Sequence, residues 1–366
     1  IYMRFVSCFF MCLFIMSGLS FTEESHPFSI HDMLAMDRVS SPQVSPDGKL
    51  IVFALRKTDL EANRGSTDLW LVGSDGKGLR QLTSHSAGDF NPCWSKDGKK
   101  VFFLSTRSGS SQVWCIPIHG GEAGQVTDLP LDVGNLIISP DGKKMAFSLE
   151  VFPEGKTIDC TLKELEKREK SKVTGRIYDR LFIRHWDTWM DGRRNHIFVM
   201  PVSGGTPVDV MKGMDTDSPT KPFGGSEEFN FTPDSGAIVF SAGNSGKEEA
   251  WSTNFDLFVS PVDGSKAPKC ITGTNKAWDT APLFSNDGKT LAYLKMKRAR
   301  FEADRFYIVL RSWPDGKERI LAPQWDRSPG TIAWGPKDRT LYAVAGNLGQ
   351  KSLFAIDVKS GKVKTL

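Results

Sequence analysis

Ser45-Pro46-Asp47-Gly48-Lys49 is the most informative stretch of the chain, because copies of it return at intervals. The other copies, two of them degenerate, begin at Ser95, Ser139, Thr232, Ser285 and Gly335, at successive spacings of 50, 44, 93, 53 and 50 residues. In this motif proline fixes φ at the first turn position, aspartate bonds back to the backbone and glycine takes the left-handed position. The motif therefore predicts a tight turn between two strands, and the spacing of 93 indicates one repeat plus an insertion.

Each motif is followed by two stretches with a strand pattern, such as Leu50–Ala54 and Asp68–Val72 in the first repeat. A glycine-containing turn and a short fourth strand, such as Leu79–Thr83, end the unit. Four antiparallel strands repeated at this period are typical of a propeller blade. We therefore predict an all-β chain, a β-propeller of four-stranded blades over residues 41–366, with six repeats visible and a partly helical insertion at about 151–190.

The aspartates and tryptophans of the repeats are expected to have structural roles. A turn explains Asp, Gly and Pro together, so we interpret the repeated carboxylates as turn residues rather than as catalytic or calcium-binding groups: Asp47, Asp97, Asp141, Asp234 and Asp287. We interpret the tryptophans in or beside strands as core between blades: Trp70, Trp94, Trp114 and Trp334.

The insertion breaks the blade pattern and has two parts. Thr161-Leu162-Lys163-Glu164 fits a capping box and predicts the start of an exposed helix, which i,i+4 pairs such as Glu164 with Arg168 would support. The segment 173–189 that follows is rich in aromatic and charged residues, and loops on rigid scaffolds often carry recognition. Two interpretations stay open, a substrate passage or a packed plug in which arginine pairs with aspartate. The candidate substrate-binding residues are Glu150, Glu154, Arg184, His185, Trp186, Asp187 and Trp189.

The first twenty residues have the pattern of a signal peptide. Arg4 is followed by a mostly apolar run over 5–19 that is shorter than a membrane-spanning helix needs, and small residues permit cleavage after Ser20. We therefore predict a signal peptide at 1–20, a lead segment at 21–40, and no membrane association after cleavage. An oxidising compartment would permit two disulfides, but the sequence does not select the pairing among Cys93, Cys115, Cys160 and Cys270.

Composition excludes some classes of function. Lys and Arg total 47 against 43 Asp and Glu, and the charges are mixed along the chain, so no nucleic-acid partner is predicted. The cysteine spacings fit no zinc motif, and we predict neither a metal nor a cofactor. The sequence does not decide whether the chain forms a homo-oligomer.

The lead segment and the insertion together carry a resemblance. The lead includes Phe28–Leu34 and Arg38–Gly48, and the insertion includes Tyr178–Phe182 and Arg184–Asp187. These stretches resemble the propeller of the prolyl oligopeptidase family of serine peptidases, in the branch of the dipeptidyl peptidase V and acylaminoacyl-peptidase enzymes. The blade motif alone is less specific, because TolB-like propellers share it.

The resemblance implies a second domain, an α/β-hydrolase with Ser, Asp and His, whose serine sits on a G-x-S-x-G turn. Neither 224–228 nor 243–247 fits that motif, so we assign no catalytic residue and expect this chain alone to be inactive. Family propellers close with seven or more blades, so we expect the chain to be one blade short.

By the same resemblance, the propeller would gate a secreted, lysosomal or vacuolar exopeptidase that releases short N-terminal fragments. Its partners would be peptide substrates and the missing hydrolase domain of the same protein. Dipeptidyl peptidases commonly hold the substrate's amino group with a carboxylate, a role open to Glu150, Glu154 or Asp187.

Two other functions remain open. One is a stand-alone TolB-like propeller that binds a protein partner, which would need neither the lead nor the insertion. The other is a glycan-binding propeller, which the placement of most aromatic residues in strands disfavours.

Overall fold

The structure, a computed structural model, describes residues 26–155, 157–243 and 245–366. The chain divides into two units, Ile1–Met36 and Asp37–Leu366. The predicted signal peptide lies outside the described residues. In the first unit a short helix, α1 (Ile30–Ala35), begins after Ser29, whose side chain accepts a hydrogen bond from the backbone of Asp32 while the Asp32 carboxylate accepts one from the backbone of Ser29.

The second unit consists of six four-stranded antiparallel sheets, each a meander, which confirms the predicted propeller. The first three blades contain β1 (Arg38–Val44), β2 (Leu50–Asp59), β3 (Arg64–Gly73), β4 (Arg80–Gln81), β5 (Asp89–Trp94), β6 (Lys100–Ser105), β7 (Gln112–Pro117), β8 (Gly124–Gln125), β9 (Gly134–Ile138), β10 (Lys144–Val151), β13 (Arg194–Pro201) and β14 (Val208–Asp209). Helix α2 (Ile158–Glu169) and a small hairpin of β11 (Arg184–His185) and β12 (Thr188–Trp189) lie between β10 and β13.

The last three blades follow the same order without a comparable interruption. They contain β15 (Phe229–Phe231), β16 (Ala237–Gly243), β17 (Phe255–Pro261), β18 (Lys269–Cys270), β19 (Asp279–Phe284), β20 (Thr290–Lys295), β21 (Tyr307–Ser312), β22 (Glu318–Leu321), β23 (Pro329–Trp334), β24 (Thr340–Asn347), β25 (Gln350–Asp357) and β26 (Val363–Thr365). Short 3₁₀ segments occur at Ser226–Glu228, Gly246–Trp251 and Pro336–Asp338. The expected seventh blade concerns chain beyond Leu366 and stays a prediction.

The repeated motif forms the predicted turn. In the first copy the Ser45 hydroxyl donates to Asp47 at 2.7 Å, the Lys49 amide donates to the same carboxylate at 3.2 Å, and Gly48 has a φ of 73°. The hydrogen bonds recur around Asp97, Asp141, Asp234 and Asp287. These carboxylates are therefore turn residues, as expected.

The core lies between blades rather than within one. Successive residues of a strand face opposite sides, so in β10 Met145 and Phe147 pack with the second blade while Ala146 packs with the fourth. Five such clusters join consecutive blades from the first to the sixth. The Trp94 indole also donates to the Gln43 carbonyl of the preceding blade at 2.9 Å, and Trp334 repeats this with Leu283 at 3.2 Å.

The start of the inserted helix differs from the prediction. Helix α2 begins at Ile158 with Thr157 at its N-cap, so Thr161 lies inside the helix and the predicted capping box is wrong. The Thr161 hydroxyl instead accepts a hydrogen bond from the buried Phe152 amide at 3.1 Å. The Glu164–Arg168 pair is present, at 2.9 Å.

In the part of the chain that the structure describes, no helix is both long enough and apolar enough to cross a membrane.

Candidate functional site

The insertion leaves the third blade where β10 ends and returns where β13 begins. The equivalent connection in the fourth blade, from β16 to β17, carries the 3₁₀ segment Gly246–Trp251. Strand order places these connections at the same end of the propeller, and contacts between Arg194 and Glu249 join them directly.

Arg194, the first residue of β13, is only 3% exposed and contacts three carboxylates. Its guanidinium donates to Asp215 at 3.0 Å, to Asp217 at 2.8 Å, and to both oxygens of Glu249 at 3.0 and 2.7 Å. Burial opposes the charge on Arg194, but the hydrogen bonds and charges of Glu249 and Asp217 outweigh it and raise the pKa of Arg194. The arginine is therefore permanently charged and fixed in position.

Further charges extend this cluster in two directions. Arg180, from the inserted segment, donates to Asp215 at 2.6 Å. Burial raises the pKa of Asp215, but hydrogen bonds from Arg180 and Arg194 outweigh that effect, and the net pKa is lowered. On the other side Lys221 bridges Asp217 at 3.5 Å and Glu150 at 2.6 Å. The Arg180–Asp215 ion pair thus ties the inserted segment to the Arg194 cluster.

A cavity of about 850 Å³ lies above the Arg194 cluster. Its walls come from the end of α2 and from 173–182, and its floor includes Arg194, Asp215 and Glu249. The Tyr178 hydroxyl is buried with no hydrogen-bond partner among the described residues. The lining combines apolar side chains such as Leu181 and Phe182 with charged ones such as Arg176 and Asp179, and a concave surface with fixed polar groups is a candidate ligand site.

The hairpin β11–β12 presents aromatic side chains to solvent. Trp186 is 71% exposed and Trp189 is 51% exposed. The Arg184 guanidinium lies over the Trp189 ring at 5.4 Å, and Trp186 meets Phe223 edge-on at 5.4 Å between ring centroids. The packed plug would have its tryptophans buried and arginine paired with aspartate. Arg180 of the same segment does pair with Asp215, but Trp186 and Trp189 are more than half exposed.

The structure therefore separates the residues that the sequence grouped. The hairpin carries Arg184, His185, Trp186, Asp187 and Trp189 but contributes to none of the described walls of the large cavity. His185 packs on Phe182, with 4.8 Å between the ring centroids.

The two candidate glutamates lie elsewhere. Glu150 lines a second cavity of about 360 Å³ between the second and third blades, where Arg193 also contacts it at 3.3 Å. Because Arg193 and Lys221 both pair with Glu150, its charge is already balanced. Glu154 is exposed near the start of the insertion.

The loop from Thr216 to Gly225 is held by a buried carboxylate that the sequence did not indicate. Glu228 accepts hydrogen bonds from the Thr220 amide at 2.6 Å and the Thr220 hydroxyl at 2.8 Å. Burial raises the pKa of Glu228 to about 7. This loop supplies Asp217 and Lys221 to the ion-pair cluster and Phe223 to the hairpin, so Glu228 positions both.

Potential metal ligands and thiols are dispersed over the described residues. Within residues 26–155, 157–243 and 245–366 no three His, Cys, Asp or Glu side chains are grouped so as to hold a metal ion. Cys93, Cys115 and Cys270 are free thiols, and burial raises the pKa of Cys93 to about 12. Cys160 lies 3.4 Å from the Thr157 hydroxyl.

Comparison with known proteins agrees with this architecture. The TolB β-propeller family model matches residues 34–179. The acylaminoacyl peptidase of Pyrococcus horikoshii superposes with a TM-score of 0.65 at 14% identity, over 90% of this chain and 46% of that one. The propeller domain of the Trilobed protease from Pyrococcus furiosus gives a TM-score of 0.57 at 13% identity, over 90% and 83% of the two chains. By fold the chain is thus a β-propeller.

Sequence comparison is more specific. The chain is 30% identical to dipeptidyl-peptidase 5 of Porphyromonas gingivalis over 337 residues, which are 91% of this chain and 48% of that protein. Its homologues are thus dipeptidyl-peptidase 5 proteins, of which this chain matches the propeller half, and this confirms the resemblance to that branch of peptidases. The chain spans about half the length of the curated relatives it matches.

Proposed function

We propose that this chain is the substrate-selecting propeller portion of a secreted serine peptidase that releases short N-terminal fragments, of dipeptide type, from peptides. The observation that carries the proposal is the insertion in the third blade, which encloses a cavity of about 850 Å³ over the Arg194 cluster. Among the described residues, no other blade of this dipeptidyl-peptidase 5 homologue has an insertion of this length between its second and third strands.

The chemistry of the insertion suits peptide selection. Exposed Trp186 and Trp189 offer flat apolar surfaces for side chains, and the ion pairs beneath the cavity hold its floor rigid. Selection by a fixed opening works through exclusion, because a substrate that cannot enter does not reach the reacting groups. Bond cleavage itself would belong to a hydrolase domain with Ser, Asp and His outside this chain.

The route of the protein is part of the same proposal. Residues 1–20 would direct it to the secretory pathway and be removed, and the mature protein would be secreted or delivered to a lysosome or vacuole.

A second candidate is a propeller that binds a protein partner without chemistry of its own. The match of residues 34–179 to the TolB propeller model favours it, and the exposed rings of the hairpin would serve as the contact.

A cleavage assay on the protein made from the complete coding sequence separates the two candidates. The substrate is a peptide with a free amino terminus, the matched control is the same peptide acetylated, and fragments are identified by mass spectrometry. We expect dipeptides from the free peptide and none from the acetylated one. Absence of cleavage together with stable capture of an intact protein would establish the binding propeller instead.

A further inference from the structure

The connection from β20 to β21 in the fifth blade is long and basic. It runs over 296–306, whereas only Leu348 and Gly349 separate the corresponding strands of the sixth blade. It contains four cationic side chains, Lys297, Arg298, Arg300 and Arg305, against two acidic ones. A two-residue turn suffices to join such strands, so closing the blade does not require this loop.

Hydrogen bonds fix the backbone of the loop. The Asp304 carboxylate accepts from the amides of Lys297 at 2.8 Å and Arg298 at 2.7 Å. The Arg300 amide donates to the Thr253 hydroxyl of the fourth blade at 2.7 Å. Arg305 donates to the carbonyl of Trp325, next to the sixth blade. The loop is thus held from both neighbouring blades.

Aromatic rings support three of the four cations. Lys297 and Arg305 lie 3.9 and 4.0 Å from the centroid of the Tyr307 ring, and Arg298 lies 3.9 Å from that of Phe301. A hydrogen bond from Arg305 lowers the pKa of Tyr307 and outweighs burial, which acts in the opposite direction. Such contacts restrict the side chains without neutralising their charge, so less conformational entropy is lost when they bind.

These cations differ from Arg194 in forming no salt bridge, although the charge of Arg298 contributes to lowering the pKa of Asp304 in the same loop. Among the described residues no carboxylate lies within 4.0 Å of a charged nitrogen of Lys297, Arg298, Arg300 or Arg305. Lys297, Arg298 and Arg300 are also exposed. Guanidinium groups with unused donors in fixed positions match the geometry of a carboxylate.

We propose that this loop, Lys297 to Arg305, binds the side-chain carboxylates of an acidic peptide segment. The inference rests on the proposed function, since it names a class of substrate for the same end of the propeller. Arg300 contacts Thr253, and Glu249 in the same connection contacts Arg194, so the loop lies beside the elements that floor the cavity. A peptide at the cavity can therefore extend along the fifth blade.

Binding of acetylated, fluorescently labelled peptides to the complete protein tests the proposal by anisotropy, without requiring cleavage. One peptide is rich in Asp and Glu, and its control has Asn and Gln at the same positions. We expect tighter binding of the acidic peptide, with a preference that weakens as salt rises. The double variant Arg298→Gln, Arg300→Gln should lower its affinity about tenfold and leave the neutral peptide unchanged.

The matched control is the double variant Lys359→Gln, Lys362→Gln, which removes the same charge from the exposed turn between β25 and β26, at the opposite end of the propeller. It should bind the acidic peptide like the unaltered protein. Equal affinity for the two peptides would overturn the proposal, as would equal losses in the two double variants. Equally strong competition by tripolyphosphate or an oligonucleotide would show a general anion site and overturn it too. Cleavage of a neutral peptide, measured separately, reports on the proposed function alone.

Discussion

The repeated blades and the inserted segment use the same residue types for different purposes. In the blades, tryptophans such as Trp94 and Trp334 are half-buried and hydrogen-bond to the preceding blade, and aspartates such as Asp47 close turns. In the insertion, Trp186 is mostly exposed and arginines pair with carboxylates from other segments. The difference teaches that repetition marks residues that build the ring, whereas departure from the repeat marks residues available for recognition.

The largest difference in the free energy of unfolding should appear between two phenylalanine variants. Phe147→Ala, in the core between the second and third blades, should lower the free energy of unfolding by about 3–5 kcal/mol, because the side chain is fully buried and leaves a cavity. Phe182→Ala, in the exposed insertion, should change it by no more than about 0.5 kcal/mol. Urea unfolding of both variants measures this. Equal losses would mean that the insertion is part of the core.

Two arginines that share one partner provide the next comparison. Arg194→Met should cost about 3 kcal/mol, because buried Asp217 loses its closest cation and keeps only Lys221 at 3.5 Å, while Asp215 and Glu249 keep contact with water. Arg180→Met, at the surface of the same cluster, should cost less than about 1 kcal/mol. The same urea experiment decides between them. A larger loss for Arg180→Met would contradict the assignment of Arg194 as the centre of the cluster.

Asp89 and Asp279 begin the first strand of the second and fifth blades. Replacing each with asparagine should change the stability of the protein in opposite directions. Asp89 pairs with Arg107 at 2.6 Å, whereas one oxygen of the fully buried Asp279 has no hydrogen-bond partner among the described residues. Burial raises the pKa of Asp279 from 3.8 to about 7. Between these values the folded protein keeps a proton that the unfolded chain releases, so raising the pH through this window should lower stability.

Urea midpoints measured from pH 4 to pH 8 test this prediction. Asp279→Asn should make the decline smaller but not abolish it, because the pKa of Glu228 is also raised to about 7, and the variant should be at least as stable as the unaltered protein at pH 8. Asp89→Asn should destabilise at every pH in that range, because Arg107 loses its partner, and should keep the decline. A decline in Asp279→Asn as large as in the unaltered protein would assign it to other groups such as Glu228.

The smallest contrast concerns the inserted helix. Thr161→Val should cost about 1 kcal/mol, because the buried Phe152 amide loses its acceptor. Thr157→Ala should have a smaller effect, since the Thr157 side chain makes no capping hydrogen bond to the helix. Thermal unfolding of the two variants compares them. A larger loss in Thr157→Ala than in Thr161→Val would identify Thr157, at the N-cap, as the residue that stabilises the helix.

The sequence predicted the parts of the fold that depend on local chemistry. The turn at Ser45-Pro46-Asp47-Gly48-Lys49 needs only its own side chains and backbone, and the strands around it follow from alternation. The helix start was misplaced because Thr161 satisfies a capping pattern in sequence, while in the structure its hydroxyl serves Phe152 across the insertion.

The charged part of the candidate site could not be predicted in the same way. Arg194, Asp217 and Glu249 come from three separate segments that meet only when the third and fourth blades pack together. The Arg193-Arg194 doublet at the start of a strand was the one local signal, because a buried strand end rarely carries two charges. The aromatic insertion was visible in the sequence, but its separation into a hairpin and a cavity wall depends on tertiary contacts.

Selection of substrates by the inserted segment is most directly tested by the ratio of kcat/KM values for a short dipeptidyl substrate and a long peptide, measured on the complete protein. The double variant Trp186→Ala, Trp189→Ala is compared with Leu79→Ala, an exposed apolar residue near the opposite end of the propeller. We predict that the ratio changes about tenfold in the double variant and stays constant in Leu79→Ala. An unchanged ratio in both variants, at unchanged stability, would contradict substrate selection by the insertion.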